Sequence, residues 1–129
     1  MPSTLISVRR HWPAAQRAQL IDSVHEAMVE TLKVPARDRC LRLQEFAPED
    51  FAVMPQCSEF FTLIEISLFA GRSLDAKRAC YQALVQSLGE LGVPAQDVRV
   101  ILNEVPQDNW GIRGGHPASE VNLGFKIEV

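Results

Sequence analysis

The sequence is poor in the residues that build disulfide frameworks and metal sites. Cys40, Cys57 and Cys80 are an odd number at wide spacings, which supports neither a disulfide framework nor a zinc site. The histidines also lack the spacing of metal ligands. We therefore expect reduced thiols, with Cys40 and Cys80 buried as small apolar side chains, and no metal.

Runs of one charge and long apolar runs are scarce as well. The net charge is -3 at pH 7 and no cluster of Lys or Arg occurs, so nucleic acid is not an expected partner. No apolar stretch is long enough to cross a bilayer, and Met1 to Arg10 lack the pattern of a secretory signal. We expect no membrane association and a cytoplasmic location. Nucleotide and serine mechanisms lack support, because no phosphate-binding glycine loop or hydrolase elbow is present.

The composition that remains is that of an ordinary globular protein. Hydrophobic residues make up 47% and charged residues 22% of the chain. A length of 129 residues suffices for one hydrophobic core and is too short for two ordinary domains. We predict a single domain over residues 1–129.

The first half of the chain has the pattern strand, helix, strand. Leu5–Val8 predicts a strand, and Pro13 suits the first turn of the helix that follows. This helix ends before Pro35, because the residue preceding a proline is driven out of the helical region. Leu41 and Leu43 then alternate with polar residues and predict a second strand. The predicted buried face of the helix consists of Leu20, Ile21, Val24, Ala27, Met28 and Leu32.

The second half repeats this pattern. Phe61–Phe69 predicts a strand, Ser73 is placed to cap a helix, Pro94 ends that helix, and Val98–Val105 predicts another strand. At an offset of about 60 residues the halves match in sequence, which indicates two repeats over about 2–51 and 60–110. The matching segments are Ile6-Ser7 with Ile66-Ser67, Val34-Pro35-Ala36 with Val93-Pro94-Ala95, Asp38 with Asp97, and Glu45 with Glu104.

These repeats predict an α+β fold. Right-handed crossovers make the two strands of each βαβ unit parallel, so the tandem units form a four-stranded mixed sheet with two helices on one face. Residues 111–129 add a Gly-rich turn and, from the alternation over Val121–Val129, a C-terminal strand. A strand without a partner of its own would expose an edge, so we expect it to pair with a neighbouring subunit, in a homotrimer.

Pro2 is the most distinctive chemical group in the sequence. Removal of Met1 would leave a secondary amine at the start of the first strand, where a rigid element can position it for proton transfer. A site that disfavours charge lowers the pKa of such an amine and provides a neutral base near pH 7, whereas an unshifted amine serves as an acid. With Met1 retained, the nitrogen is an amide and can do neither.

Three motifs of the second half give a family resemblance. In their order and spacing, Gly71-Arg72-Ser73, Val98-Arg99-Val100-Ile101 and Trp110-Gly111-Ile112 resemble the 4-oxalocrotonate tautomerase family. The first half resembles the malonate semialdehyde decarboxylases, two-repeat members of the same superfamily, in the segment 34–39. Together with Pro2, these likenesses identify the chain as a member of the tautomerase superfamily.

The resemblance implies a cofactor-independent enzyme that acts on a small carboxylate substrate. It assigns catalytic roles to Pro2, Asp38 and Arg72. It also assigns substrate binding to Arg99, Trp110 and Arg39. Arg37 could supplement this anion site, although we expect at least one of Arg37 and Arg39 to be a solvated surface charge. A guanidinium group suits a carboxylate because its donors bind bidentately.

The residues leave alternatives to these roles. Arg99 could face solvent or pair with Glu104, and Asp38 could cap a turn as Asp97 would in the other half. The leading hypothesis is keto-enol isomerisation of a 2-oxo acid. Decarboxylation of a β-keto acid could use the same site, and so could hydration or dehalogenation. The resemblance to the decarboxylases would be stronger with a second arginine close before Arg72, where this sequence has Phe69 and Ala70. The alternative of another class is a ferredoxin-like module that binds a ligand or assembles without catalysis.

Overall fold

The computed structural model describes residues 2–129, which form two successive strand-helix-strand units followed by short elements. None of the helices in this part of the chain is both long and apolar enough to span a membrane. In chain order the elements are β1 (Ser3–Val8), α1 (Ala14–Leu32), β2 (Leu41–Glu45), β3 (Thr62–Phe69), α2 (Leu74–Glu90), β4 (Val98–Val105), β5 (Gly111–Ile112) and β6 (His116–Pro117), with short 3-10 helices at Pro48–Asp50, Ala95–Asp97, Gln107–Asn109 and Ala118–Glu120.

The main sheet has the strand order β2-β1-β3-β4. β1 is parallel to β2, β3 is parallel to β4, and β1 and β3 are antiparallel at the centre. The predicted fold class, a mixed four-stranded sheet built from βαβ units with two helices, is confirmed. Each helix joins strands that are direct neighbours, whereas a ferredoxin-like fold splits its βαβ units. The ferredoxin-like alternative is therefore wrong.

Both helices pack their apolar stripes against one face of the sheet. Ser73 caps α2 as predicted, since its Oγ accepts a hydrogen bond from the Ala76 nitrogen at 3.1 Å. Pro13 lies one position before α1 begins, and Lys33 ends this helix in a left-handed conformation with φ 56°. The fully buried centre of this core includes Ile6, Val8, Leu20, Val24, Leu32, Ile64, Ile66, Leu84 and Leu88.

The matching glutamates of the two repeats hold equivalent turns. Glu45 accepts a hydrogen bond from the Trp12 backbone nitrogen at 2.5 Å, and this bond lowers the pKa of Glu45. Lys77 donates to Glu104 at 2.7 Å, which lowers the pKa of Glu104, and a backbone hydrogen bond from Gly71 lowers it further. Each carboxylate thus ties the end of one strand to the turn after its neighbour.

The C-terminal segment departs from the prediction. The strand expected over Val121–Val129 does not form among the described residues. Instead Ile127 is buried against Gly71, and the Ser73 hydroxyl donates to the Val129 backbone oxygen at 2.9 Å. Pairing of this segment with a neighbouring subunit stays a prediction.

Gly71 tests how this segment packs. A Cβ at Gly71 would lie 2.7 Å from Ile127 Cγ2, and the φ of +139° is unfavourable for other residues. We expect Gly71→Ala to lower the free energy of unfolding by roughly 1–3 kcal/mol, measured by urea denaturation. Gly92→Ala is the control, since Gly92 also has a positive φ but has nothing within 4 Å of its added Cβ. Equal losses for the two variants would contradict the packing of Ile127 on Gly71.

Candidate active site

A small cavity adjoins Pro2 at one end of the sheet. Because β1 and β2 are parallel, the residue before β1 meets the segment that leads into β2. The cavity has a volume of about 210 Å³ and is lined by Pro2, Arg37, Asp38, Arg39 and Cys40. Pro2 itself is buried. Met1, whose removal the amine hypothesis requires, lies outside the described residues.

The segment that forms the opposite wall is held by its backbone. The Asp38 nitrogen donates to the Pro35 oxygen at 2.9 Å, and the Arg39 nitrogen donates to the Arg37 oxygen at 3.0 Å. The Cys40 oxygen accepts from the Thr4 nitrogen in β1 at 3.0 Å. The side chains at the cavity therefore stand on a fixed loop.

Two of the sequence-predicted residues, Asp38 and Arg39, join Pro2 in this cavity. Asp38 is half-buried, and Arg39 is exposed and forms an ion pair with Asp22. The prediction that Cys40 is buried is wrong: its side chain is exposed because Cys40 precedes β2 and leaves the helix-covered face. Cys80, on the inner face of α2, is buried as predicted, and desolvation raises the pKa of its thiol.

Arg72 lies at the same end of the sheet but is not among the residues that line the cavity. Only 6% of its surface is exposed. Its Nε donates to the Leu32 oxygen at 3.2 Å and its Nη1 to the Phe69 oxygen at 3.4 Å, whereas Nη2 has no partner among residues 2–129. Burial lowers the pKa of Arg72, and the negative charge of Glu128 partly offsets this effect. The C-terminal segment thus lies close to the guanidinium.

Trp110 also lies near this end. Its ring packs edge-on against Phe69, with the centroids 5.0 Å apart, and it borders a second apolar cluster that contains Ile112 and Ile127. Trp110 therefore packs behind the end of β3 and does not line the cavity beside Pro2.

Arg99 lies at the opposite end of the sheet. It pairs in register with Leu63, and its guanidinium is 5.9 Å from the Phe61 ring centroid. The end of β4 nearest Pro2 is at Glu104, five residues away, or about 16 Å along the strand. Glu104 pairs with Lys77. Arg99 therefore cannot reach the Pro2 cavity of its own chain.

The two repeats end in different environments. Asp97, the counterpart of Asp38, is fully buried and accepts hydrogen bonds from the Ser58 nitrogen at 2.7 Å and the Ser58 hydroxyl at 2.5 Å. Thr62 occupies the place that corresponds to Pro2. The connection between the repeats thus closes one end of the sheet, while the Pro2 end stays open. Nothing in the sequence signalled that Ser58 would bind Asp97.

The comparisons with known proteins agree with this architecture. Two family models, each described as a tautomerase enzyme, match residues 38–113 and 6–60. The first match spans more than half of the chain, and the chain belongs to the tautomerase family.

The chain also resembles individual members of this family. It is 25% identical to a probable tautomerase of Bacillus subtilis over 89% of this chain and 95% of that protein. A 2-hydroxymuconate tautomerase of Comamonas testosteroni is 39% identical, over 39% of this chain and 81% of that protein. This shorter relative therefore corresponds to part of the duplicated chain.

Two solved structures have the same fold. FG41 malonate semialdehyde decarboxylase, inhibited by 3-bromopropiolate, superposes with a TM-score of 0.83 at 27% identity and covers 94% of this chain and 98% of that chain. A fused 4-OT that forms a symmetric trimer superposes with a TM-score of 0.81 at 27% identity, over 90% of this chain and 95% of that chain.

Asp97 is expected to matter for stability and Asp38 much less. Asp97→Asn weakens buried hydrogen bonds from Ser58 and should lower the free energy of unfolding by about 1–3 kcal/mol in urea denaturation. Asp38→Asn, at the half-buried counterpart, should change it by less than about 1 kcal/mol. A reversed order would contradict the assignment of one closed end and one open end.

Proposed function

We propose that this enzyme uses the free amine of Pro2 to move a proton on a small 2-oxo acid, without a cofactor. The observation that carries the proposal is the cavity in which Pro2 meets Asp38 and two arginines. This arrangement joins a proton-transfer group to groups that bind a carboxylate. The names of the 2-hydroxymuconate tautomerases also support an isomerase of this type.

The chemistry requires a neutral amine. Burial and the guanidinium groups that line the cavity disfavour a protonated Pro2 nitrogen, whereas the Asp38 carboxylate favours it. Action of Pro2 as a base requires the first two effects to outweigh the third. The amine takes a proton from the substrate carbon or hydroxyl, the cavity arginines hold the substrate carboxylate, and the protonated amine returns the proton at the other position. Atoms and charge balance, since the proton is only relocated.

In this proposal Arg72 and Trp110 assist the site although they do not line the cavity. Arg72 places a positive charge at the same end of the sheet, and its Nη2 is left without a partner among residues 2–129. A shift of the segment 127–129 would open this donor to a substrate carboxylate. Trp110 supports the end of β3 from which Arg72 extends.

A second candidate reaction is decarboxylation of a β-keto acid. The similarity to FG41 malonate semialdehyde decarboxylase and the position of Asp38 beside Pro2 favour it. Here a protonated Pro2 and the arginines polarise the carbonyl, the bond to the carboxylate breaks with loss of carbon dioxide, and the resulting enolate takes up a proton.

We also propose that the active enzyme is a homotrimer in which Arg99 serves the site of a neighbouring subunit. Arg99 is too far from Pro2 within one chain, and its guanidinium is exposed. The fused 4-OT neighbour forms a symmetric trimer. Cyclic assembly can bring the far end of one sheet to the Pro2 end of the next.

Blocking the Pro2 amine should abolish proton transfer. A chain with one extra residue before Pro2 should lose roughly a hundredfold or more in kcat/KM for phenylenolpyruvate, because an amide nitrogen cannot act as a base. Mass spectrometry verifies each N-terminus. Thr62→Ser, at the corresponding place in the closed end, is the control and should keep full activity. Equal turnover by the blocked and free forms would refute the proposal.

Mixed trimers test whether Arg99 acts across a subunit boundary. Pro2→Ala and Arg99→Gln should each be nearly inactive. After joint unfolding and refolding, roughly a quarter of the sites should combine an intact Pro2 with an intact Arg99 from the next chain. Light scattering verifies the trimer. If the mixture is no more active than the sum of the two separate variants, or if Arg99→Gln alone is fully active, the shared site is contradicted.

A further inference from the structure

Arg37 is one of the two arginines that line the cavity beside Pro2. Arg39 lines the same cavity but is paired with Asp22. The Arg37 guanidinium has no hydrogen bond or ion pair within residues 2–129, and the side chain is exposed. Arg72 does not line the cavity, and its guanidinium donates hydrogen bonds to backbone oxygens. Arg37 is therefore the positive charge most available to a ligand of this cavity.

Comparison of the two repeats indicates that this charge is specific to the Pro2 end. Since Asp38 corresponds to Asp97, Arg37 corresponds to Gln96. Gln96 is neutral, and its Nε2 donates to the Gln56 oxygen at 3.3 Å. At the closed end, the side chain at this position is thus already hydrogen-bonded to another residue of the protein. A free cation stands there only in the repeat that has Pro2 and a cavity.

The backbone that carries Arg37 is well anchored. The Ala36 oxygen is 2.9 Å from Nε2 of the buried His25 in α1. The Arg37 oxygen accepts from the Arg39 nitrogen at 3.0 Å. Because its backbone is fixed, the Arg37 guanidinium loses less conformational freedom when it binds an anion. Its donors are therefore suited to bind a carboxylate in one defined geometry.

We propose that Arg37 is the residue that receives the substrate carboxylate beside Pro2. This inference rests on the proposed function and specifies its substrate class. Ligand sites for drug-sized molecules measure about 300–1,000 Å³. The cavity of about 210 Å³ and the Arg37 guanidinium, which is unpaired among residues 2–129, therefore favour a small monocarboxylic 2-oxo acid.

The kinetic test separates binding from chemistry. Arg37→Gln should raise KM for phenylenolpyruvate roughly ten- to hundredfold, the scale of a lost charge-assisted hydrogen bond, and leave kcat within about threefold. Arg37→Lys should recover part of the loss because it keeps the charge. Arg78→Gln, which removes an exposed arginine of α2 paired with Asp75, is the control and should not change KM.

A binding test does not depend on turnover. Benzoylformate is a 2-oxo acid without a proton on the adjacent carbon, so its affinity can be measured by calorimetry without reaction. Arg37→Gln should weaken it at least about tenfold relative to the wild type and Arg78→Gln. Circular dichroism verifies that each variant is folded.

The outcomes distinguish the two proposals. Arg37-dependent binding without turnover of any 2-oxo acid would overturn the proposed reaction and support the role of Arg37. Normal turnover, with KM and benzoylformate affinity of Arg37→Gln within threefold of wild type, would overturn the role of Arg37 alone. No binding of benzoylformate by the wild type, together with no turnover of phenylenolpyruvate, would overturn both.

Discussion

The antiparallel pairing of β1 with β3 is the constraint on which the rest of the molecule depends. It joins two parallel βαβ units so that the starts of β1 and β2 share one end of the sheet with the ends of β3 and β4. Groups that are distant in sequence meet there as a result. Pro2, the loop at 37–40, the turn at Arg72 and the C-terminal segment all lie at this end.

The same pairing creates two related ends, and the connection between the repeats makes them different. Asp97 is desolvated and satisfied by Ser58, whereas Asp38 stays half-buried beside a cavity. A buried carboxylate must be hydrogen-bonded, so the closed end gains structural order and loses access. One βαβ unit thus ends in a closed, hydrogen-bonded turn and the other beside an open cavity.

The sequence predicted the same role, carboxylate binding, for several arginines, but their positions in the fold differ. Arg72, Arg39 and Arg99 all match a carboxylate-binding pattern in sequence. In the fold, Arg72 is buried under the C-terminal segment, Arg39 is paired with Asp22, and Arg99 lies at the far end of the sheet. Among residues 2–129, the cavity-lining guanidinium without a partner is that of Arg37.

The sequence by itself determined the four strands of the main sheet, both helices, the Ser73 cap and the βαβ order, because periodicity, capping and proline effects are local. It also singled out Pro2 and Asp38, which share a cavity. Only the tertiary structure decided the exposure of Cys40, the course of residues 121–129 and the distance of Arg99 from Pro2. These features depend on strand register and on contacts between segments far apart in the chain, which residue patterns do not encode.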